Sequence, residues 1–84
     1  MTDLQQRFEE AQAHSKQLPE RPDNATLLAI YGLFKQATSG DALGERPGFP
    51  DLVARAKWDA WQARAGMPAD AAMQAYVDLI ESLR

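Results

Sequence analysis

The 84-residue sequence predicts an all-α fold, a bundle of four amphipathic helices. Three observations indicate this fold. Apolar residues recur at the three- and four-residue spacing of a helix face in four segments. Proline or glycine separates each of these segments from the next. No segment shows the alternation of apolar and polar residues that is typical of a strand. Because a chain this short has room for one core, we expect a single domain over residues 1–84.

The first helix is predicted from about Leu4 to Ser15. Thr2 and Gln5 have the spacing of a capping box, in which two side chains satisfy backbone N–H groups at the start of a helix. Pro19 and Pro22 cannot continue a helix. The segment around these two prolines is therefore predicted to be an extended linker.

The second helix is predicted from about Asn24 to Thr38, with Asp23 or Asn24 as its cap. Gly40 suits the end of this helix, since glycine readily adopts the left-handed conformation found there. Residues 41–50 contain two glycines and two prolines, but their spacing does not match a phosphate-binding P-loop. We interpret them as a long surface connection.

The third helix is predicted from about Asp51 to Ala65, where Gly66 ends it. Pro68 is suited to the first turn of the fourth helix, which runs to about Leu83. The fourth helix has the cleanest apolar stripe of the sequence, formed by Met73, Tyr76, Val77, Ile80 and Leu83.

The composition excludes several classes of protein. The sequence has no cysteine, which excludes disulfides, a thiol nucleophile and the common zinc sites. Its net charge of −3 argues against a nucleic-acid-binding protein. The longest apolar run, Leu27 to Ile30, is far shorter than the roughly 20 residues of a spanning helix, so we expect no stable membrane insertion. The first residues lack the pattern of a signal peptide, and the expected location is the cytoplasm.

Few residues are candidates for catalysis. His14 is the sole histidine, and no serine, threonine or carboxylate is tied to it in a recognisable motif. A surface histidine is therefore favoured over a general base. One histidine and scattered carboxylates supply no familiar spacing of metal ligands. We predict no catalytic residue, no metal site and no cofactor.

Aromatic and cationic residues suggest a binding site instead. Tyr31, Phe34 and Lys35 lie within one turn of the second helix. Lys57 on the third helix has a stem suited to lie along apolar surface, and Tyr76 adds an aromatic ring with a polar tip. Such a set can stack on a base and pair with a phosphate. The same aromatic spacing is more common in a packed core, so these residues alone leave both interpretations open.

The segment from Tyr31 to Trp61 carries a more specific pattern, because YxxFKQAT, GD, ERPG and AKWDAW follow one another without a gap. These motifs closely resemble those of the acyl-CoA-binding protein family. The resemblance extends to Phe8 and Lys16 on the first helix, to Pro22, and to the run DAAMQAYVDLIESL on the last helix. It therefore covers nearly the whole chain.

The resemblance implies a four-helix bundle with up-down-down-up topology. The implied ligand is acyl-CoA, a fatty acyl chain linked to coenzyme A. The implied function is tight binding of medium- and long-chain acyl-CoA by an intracellular carrier that performs no catalysis. A monomer is expected, with acyl-CoA-using enzymes as its partners.

The resemblance also implies which residues bind the ligand. Tyr31, Lys35 and Lys57 match the family positions that hold the 3′-phosphate and the adenine. Phe34 matches a second aromatic of that site. Tyr76 matches a family tyrosine that contacts the nucleotide, and Lys16 matches a basic residue near the headgroup. Leu28 lies on the same helix face as Tyr31 and is the candidate for contact with the acyl chain.

The sequence departs from the family pattern at three positions. Phe34 stands where tyrosine is usual, so its ring can stack but a hydroxyl contact is lost. Arg55 replaces a common lysine and keeps its charge. Gln12 fills a position usually held by a small residue near the ligand, which bears on how the acyl chain lies.

Two other functions compete with that of a carrier. A thioesterase would need a nucleophile and a base, and the sequence offers no plausible pair. An interaction module without a ligand would not need the tyrosines and lysines that the sequence retains at the family's ligand positions. For Trp58 and Trp61, a structural role and a contact with the ligand stay equally open.

Overall fold

The computed structural model describes residues 3–84 and contains four α-helices: α1 (Leu4–Ser15), α2 (Asn24–Ser39), α3 (Leu52–Gln62) and α4 (Ala69–Leu83). No strand is found within residues 3–84. The predicted all-α fold is confirmed. The bounds of α1 and α2 agree with the predicted ones to within one residue.

The third helix is shorter than predicted. The sequence predicts it from about Asp51 to Ala65, whereas α3 covers Leu52–Gln62. The residues that follow form tight turns, in which the N–H of Arg64 donates to the carbonyl of Trp61 at 2.9 Å. Such bonds over three residues tighten the end of a helix. Gly66, with a φ of 86°, then turns the chain towards α4.

Three helices are each preceded by an aspartate, whose carboxylate accepts a hydrogen bond from a backbone N–H three residues later. The pairs are Asp3 with Gln6, Asp23 with Thr26 and Asp51 with Ala54. Thr2, the predicted cap of α1, lies outside the described residues, and Asp3 caps this helix. The backbone N–H and the hydroxyl of Thr26 lower the pKa of the Asp23 carboxyl. Pro68 precedes α4 instead of lying in its first turn.

The directions of the helices follow from pairs of contacts. Two helices are parallel when a later residue of one contacts a later residue of the other. This holds for α1 and α4, through the contacts Arg7–Gln74 and His14–Glu81. It also holds for α2 and α3, through Tyr31–Lys57 and Lys35–Trp61. Between α2 and α4 the order is reversed, because Phe34 packs near Tyr76 while Gln36 bonds to Met67. The up-down-down-up topology is therefore confirmed.

The core lies where α4 packs against α1 and α2. Its buried apolar residues are Phe8, Ala11, Leu33, Ala37, Ala72, Tyr76, Val77 and Ile80. The ring of Phe8 meets that of Tyr76 edge-on, with centroids 5.0 Å apart. None of the buried residues belongs to α3, and α2 is the only helix that α3 contacts within the described chain.

Gly32 sets the distance between α2 and α3. A methyl group at this position would overlap the carbonyl of Ala60, with 2.8 Å to the carbonyl carbon. Because the overlap would be with backbone atoms, no change of rotamer would relieve it. The absence of a side chain at Gly32 therefore lets the two backbones approach and brings the side chains of α2 and α3 together.

Candidate functional site

Two lysines lie over aromatic rings of the neighbouring helix where α2 meets α3. The Nζ atom of Lys57 on α3 lies 5.4 Å from the ring centroid of Tyr31 on α2. The Nζ atom of Lys35 on α2 lies 4.8 Å from the ring centroid of Trp61 on α3. Both distances are within the range of a cation–π interaction. Each helix thus contributes one ring and one cation, four residues apart, and we call these four residues the crossed pairs.

The ring of Trp61 is also fixed by a hydrogen bond. Its Nε1–H donates to the carbonyl oxygen of Gly40 at 2.6 Å. Gly40 follows the last residue of α2 and has a φ of 76°, a left-handed conformation that suits glycine. The end of α2 and the last turn of α3 are joined by this bond.

An open groove of about 460 Å³ runs between the first turns of α2 and α3. Its walls are mainly aliphatic, and the lining residues are Arg21, Asn24, Leu27, Leu28, Leu52, Val53, Ala56 and Lys57. Leu52 and Val53 are 64% and 68% exposed, so this aliphatic wall of the groove is open to solvent. Lys57 belongs both to this groove and to the crossed pairs, so the apolar surface and the cationic site are continuous.

The structure brings four of the seven predicted site residues together and leaves the other three elsewhere. Tyr31, Lys35, Lys57 and Leu28 lie at the α2–α3 contact or in the groove beside it. The ring of Phe34 packs towards the core, with its centroid 6.1 Å from that of Phe8. Tyr76 is 3% exposed, so its position indicates a role in core packing.

Gln12 lies on α1, which does not contact α3 in the described part of the chain, and Lys16 follows the end of that helix. Lys16 is exposed and follows the last residue of α1, where its N–H donates to the carbonyl of Ala13. Neither residue lines the groove. Arg55, the third departure from the family pattern together with Phe34 and Gln12, places its guanidinium 4.7 Å from the ring centroid of the exposed Phe49.

A buried glutamine holds the connection after α2 against the start of α4. Gln36 is buried, and its Nε2 donates to Asp41 Oδ1 at 2.8 Å and to the carbonyl of Met67 at 3.0 Å. The same oxygen of Asp41 accepts the backbone N–H of Gly66 at 2.8 Å. The Gly66 N–H, and after it the Gln36 amide, lower the pKa of the Asp41 carboxyl.

The connection is also tied to α3 by an ion pair. Arg46 donates from Nε and Nη2 to the two carboxylate oxygens of Asp59, at 2.8 and 2.6 Å. These hydrogen bonds lower the pKa of the Asp59 carboxyl and raise the pKa of Arg46. Such a bidentate ion pair fixes the orientation of both groups.

The described residues offer little for chemistry. Within residues 3–84, no three His, Asp or Glu side chains converge in a way that would hold a metal ion. His14 lies between α1 and α4, with Nδ1 3.8 Å from a carboxylate oxygen of Glu81, away from the groove. None of the helices in this part of the chain is both long and apolar enough to cross a membrane.

Comparison with known proteins identifies the family. A family model described as "Acyl CoA binding protein" matches residues 5–80. The chain belongs to the acyl-CoA-binding protein family. It is 46% identical to acyl-CoA-binding protein homolog 1 of Caenorhabditis elegans over 90% of the chain and 88% of that protein. The crystal structure of Oryza sativa acyl-CoA-binding protein 2 matches 96% of this chain and 90% of its own, with a TM-score of 0.92 and 42% identity.

Other relatives are much longer than this chain. It is 46% identical to enoyl-CoA delta isomerase 2 of Rattus norvegicus, but it spans 21% of the length of that protein. The relatives matched over most of their length are acyl-CoA-binding proteins. That this chain performs no catalysis remains a prediction.

Sequence reasoning missed several residues of the site. Leu52 and Val53 were not predicted as walls of a groove. Gly32 was not singled out, although a glycine inside a helical pattern is a signal of close packing. Gln36 gave no signal beyond its place in the KQAT motif. Its burial depends on residues more than 25 positions away in the sequence.

Proposed function

We propose that residues 1–84 form a single acyl-CoA-binding domain, which binds medium- and long-chain acyl-CoA tightly and does no chemistry on it. The observation that carries this proposal is the position of Lys57. Its ammonium lies over the Tyr31 ring, and its side chain also lines the apolar groove. A ligand with an anionic aromatic head and an aliphatic tail fits such a continuous surface.

The crossed pairs would bind the coenzyme A headgroup. Lys35 and Lys57 supply ammonium groups that can form charge-assisted hydrogen bonds to phosphate oxygens. Tyr31 supplies an aromatic surface for the adenine. Because the whole chain carries a net charge of −3, attraction of an anionic ligand depends on this local concentration of positive charge.

The groove would bind the acyl chain. Leu27, Leu28, Leu52 and Val53 offer aliphatic surface at the end of the site that is remote from Trp61. Burying one CH₂ group contributes about 0.8 kcal/mol. Affinity should therefore rise with acyl length until the chain extends beyond the groove, while the headgroup sets which class of ligand binds.

The other three predicted site residues have different roles in the proposed site. Phe34 and Tyr76 would support the site from the core side through their ring contacts with Phe8, and any ligand contact of Tyr76 would involve the small part that is exposed. Lys16 would provide positive charge near the headgroup from the end of α1.

The proposed biological role is that of a carrier. A groove that opens to solvent lets an acyl-CoA enter and leave without a chemical step. We propose a monomer that works in the cytoplasm and passes its ligand to acyl-CoA-using enzymes. In the enoyl-CoA delta isomerase 2 relatives, a segment similar to this chain occupies about a fifth of a longer protein. This arrangement supports a functional link between a domain of this kind and an acyl-CoA-using enzyme.

The proposal is tested first by calorimetric titration with palmitoyl-CoA, with free coenzyme A and palmitate as controls. We expect one ligand per chain, bound more tightly than either control. Octanoyl-CoA should bind more weakly than palmitoyl-CoA, because it buries fewer CH₂ groups. Equal affinity for free coenzyme A and palmitoyl-CoA would refute a role for the groove.

A second test separates the headgroup site from general electrostatics. Lys35→Ala should weaken palmitoyl-CoA binding by more than tenfold, because a hydrogen bond to a charged group is worth about 1.5–3 kcal/mol. Arg7→Ala, which removes the same charge from α1 at the far edge of the bundle, is the matched control and should bind like the wild type. If both variants lost affinity equally, net charge rather than the crossed pairs would explain binding.

A further inference from the structure

We propose that Trp61 is a positioning residue, which holds the ammonium of Lys35 where it meets an anionic group of the ligand. The inference rests on the proposed function, because it assigns the phosphates of coenzyme A as that anionic group. It also answers a question that the sequence left open, namely whether Trp61 has only a structural role. Two contacts of its indole ring carry the inference.

The first contact fixes the plane of the ring. The indole has one hydrogen-bond donor, Nε1–H, and this donor is used by the carbonyl of Gly40 at 2.6 Å. Gly40 closes α2, the same helix that carries Lys35 five residues earlier. The ring of Trp61 is therefore anchored to the helix whose lysine it touches, and a movement of α3 relative to α2 would have to break this bond.

The second contact fixes the lysine. Its Nζ lies 4.8 Å from the Trp61 ring centroid, and the Lys35 side chain is half-buried, in contrast to the exposed Lys57. A lysine stem has many rotamers, and ordering it costs conformational entropy when a ligand binds. An ammonium that already lies over a fixed ring loses less of this freedom. Its N–H groups that point away from the ring remain able to donate to a phosphate.

The test is a double-mutant cycle measured by calorimetry with palmitoyl-CoA. The variants are Trp61→Leu, Lys35→Met and the combination of the two. Trp61→Leu should weaken binding about two- to fivefold, the equivalent of a cation–π interaction of about 0.5–1 kcal/mol. In the Lys35→Met background the same substitution should change affinity much less, because the residue that Trp61 positions is gone.

Lys57→Met provides the matched control for this coupling. Lys57 is one turn from Trp61 on α3, but its ammonium lies over Tyr31, so Trp61→Leu should couple less strongly to Lys57→Met than to Lys35→Met. A purely structural role of Trp61 would make its effects multiply in both lysine backgrounds. Helical content is measured by circular dichroism for every variant, and Trp61→Met, which also lacks an aromatic ring, replaces Trp61→Leu in both cycles if the leucine variant loses helix.

A measurement without ligand tests the geometry itself. The ε-methylene protons of Lys35 should be shifted upfield in proton NMR by the ring current of Trp61, and Trp61→Leu should remove this shift while the signals of Lys57 stay in place. Unshifted Lys35 signals would overturn the inference whether or not acyl-CoA binds.

The binding outcomes distinguish this inference from the proposed function. Failure of the wild type to bind palmitoyl-CoA would overturn both. Binding by the wild type with multiplying effects of Trp61→Leu and Lys35→Met would overturn the positioning role alone. Tighter binding by Trp61→Leu would also overturn it, because Trp61 would then hold Lys35 away from the ligand.

Discussion

Both α4 and α3 pack against α2, but through different kinds of contact. α4 buries Ala72, Tyr76, Val77 and Ile80 against its neighbours, whereas α3 has no buried residue. α3 is held by the close backbone approach at Gly32 and by directional contacts: the crossed pairs, the bond from Trp61 to Gly40, and the ion pair between Arg46 and Asp59. One side of α2 therefore forms a core and the other side an open surface.

This difference indicates a division of work along α2. Burial of apolar surface supplies most of the free energy of folding, and it is concentrated on the α1–α4 side. Directional contacts between exposed groups each contribute less. They nevertheless fix where cations and rings lie. The α3 side can therefore keep an apolar groove open to solvent without loss of the fold.

The largest expected effect is on the core side. Ile80 is fully buried, and Ile80→Ala should lower the free energy of unfolding by about 2–5 kcal/mol, because it removes apolar contacts and leaves a cavity. This is a large share of the roughly 5–15 kcal/mol of a natural domain. Urea unfolding followed by circular dichroism measures the change.

Val53→Ala is the matched substitution on the α3 side. Val53 is 68% exposed, so the free energy of unfolding should change by no more than about 0.5 kcal/mol. Its affinity for palmitoyl-CoA should fall instead, because Val53 lines the groove. Similar losses of stability in the two variants would contradict the division between a core side and a binding side.

A second substitution tests how the two sides are joined. Gly32→Ala should lower the free energy of unfolding by up to about 2.5 kcal/mol, because overpacking costs about 1–3 kcal/mol and is only partly offset by the 0.5–1 kcal/mol that alanine gains over glycine in a helix. The added methyl group would push the carbonyl of Ala60 away and separate the crossed pairs. Palmitoyl-CoA affinity should fall with it.

Gly48→Ala is the control for the loss of a glycine. A methyl group there would meet the ring of Pro50 at 3.7 Å, an ordinary contact. Stability and affinity should both stay near those of the wild type, as measured by urea unfolding and calorimetry. If Gly32→Ala bound palmitoyl-CoA as tightly as the wild type, the site would not depend on the close approach of α2 and α3.

The sequence was a good guide to the helices because the signals that determine them are local. Periodic apolar residues predicted α1 and α2 within one residue, and Asp23, one of the two predicted caps of α2, caps it. The prediction for α3 was too long because the tight turns after Gln62 depend on the chain's turn towards α4 at Gly66. The family motifs supplied the topology that periodicity does not encode.

The site was predictable only in part, for a related reason. Tyr31 and Lys35 lie one turn apart on the same helix, so their proximity follows from sequence spacing. The pairing of Lys35 with Trp61 joins two helices, and it depends on a backbone approach that Gly32 permits. Likewise, the positions of Phe34 and Tyr76 beside Phe8 follow from how three helices pack and not from the spacing within any one of them.

The smallest expected effect concerns the connection between α2 and α3, and it is a dependence on pH. The pKa of Asp41 is lowered below its ordinary value of 3.8 by hydrogen bonds from Gly66 and Gln36. Because the folded pKa is lower than the unfolded one, this carboxylate stabilises the fold fully above about pH 4. The contribution is lost as the pH falls through the folded pKa. Asp41→Asn should make the urea midpoint fall less steeply as the pH decreases below about 4.

Asp23→Asn is the control for this pH dependence. Asp23 also has a lowered pKa, but it caps the start of α2, whereas Asp41 lies beyond the end of that helix. The two substitutions should each remove a separate share of the pH dependence, and their shares should add in the double variant because the sites are distant. If Asp41→Asn left the slope unchanged, the hydrogen bonds from Gly66 and Gln36 would not favour the ionised carboxylate. The connection would then be held mainly by the ion pair of Arg46 with Asp59.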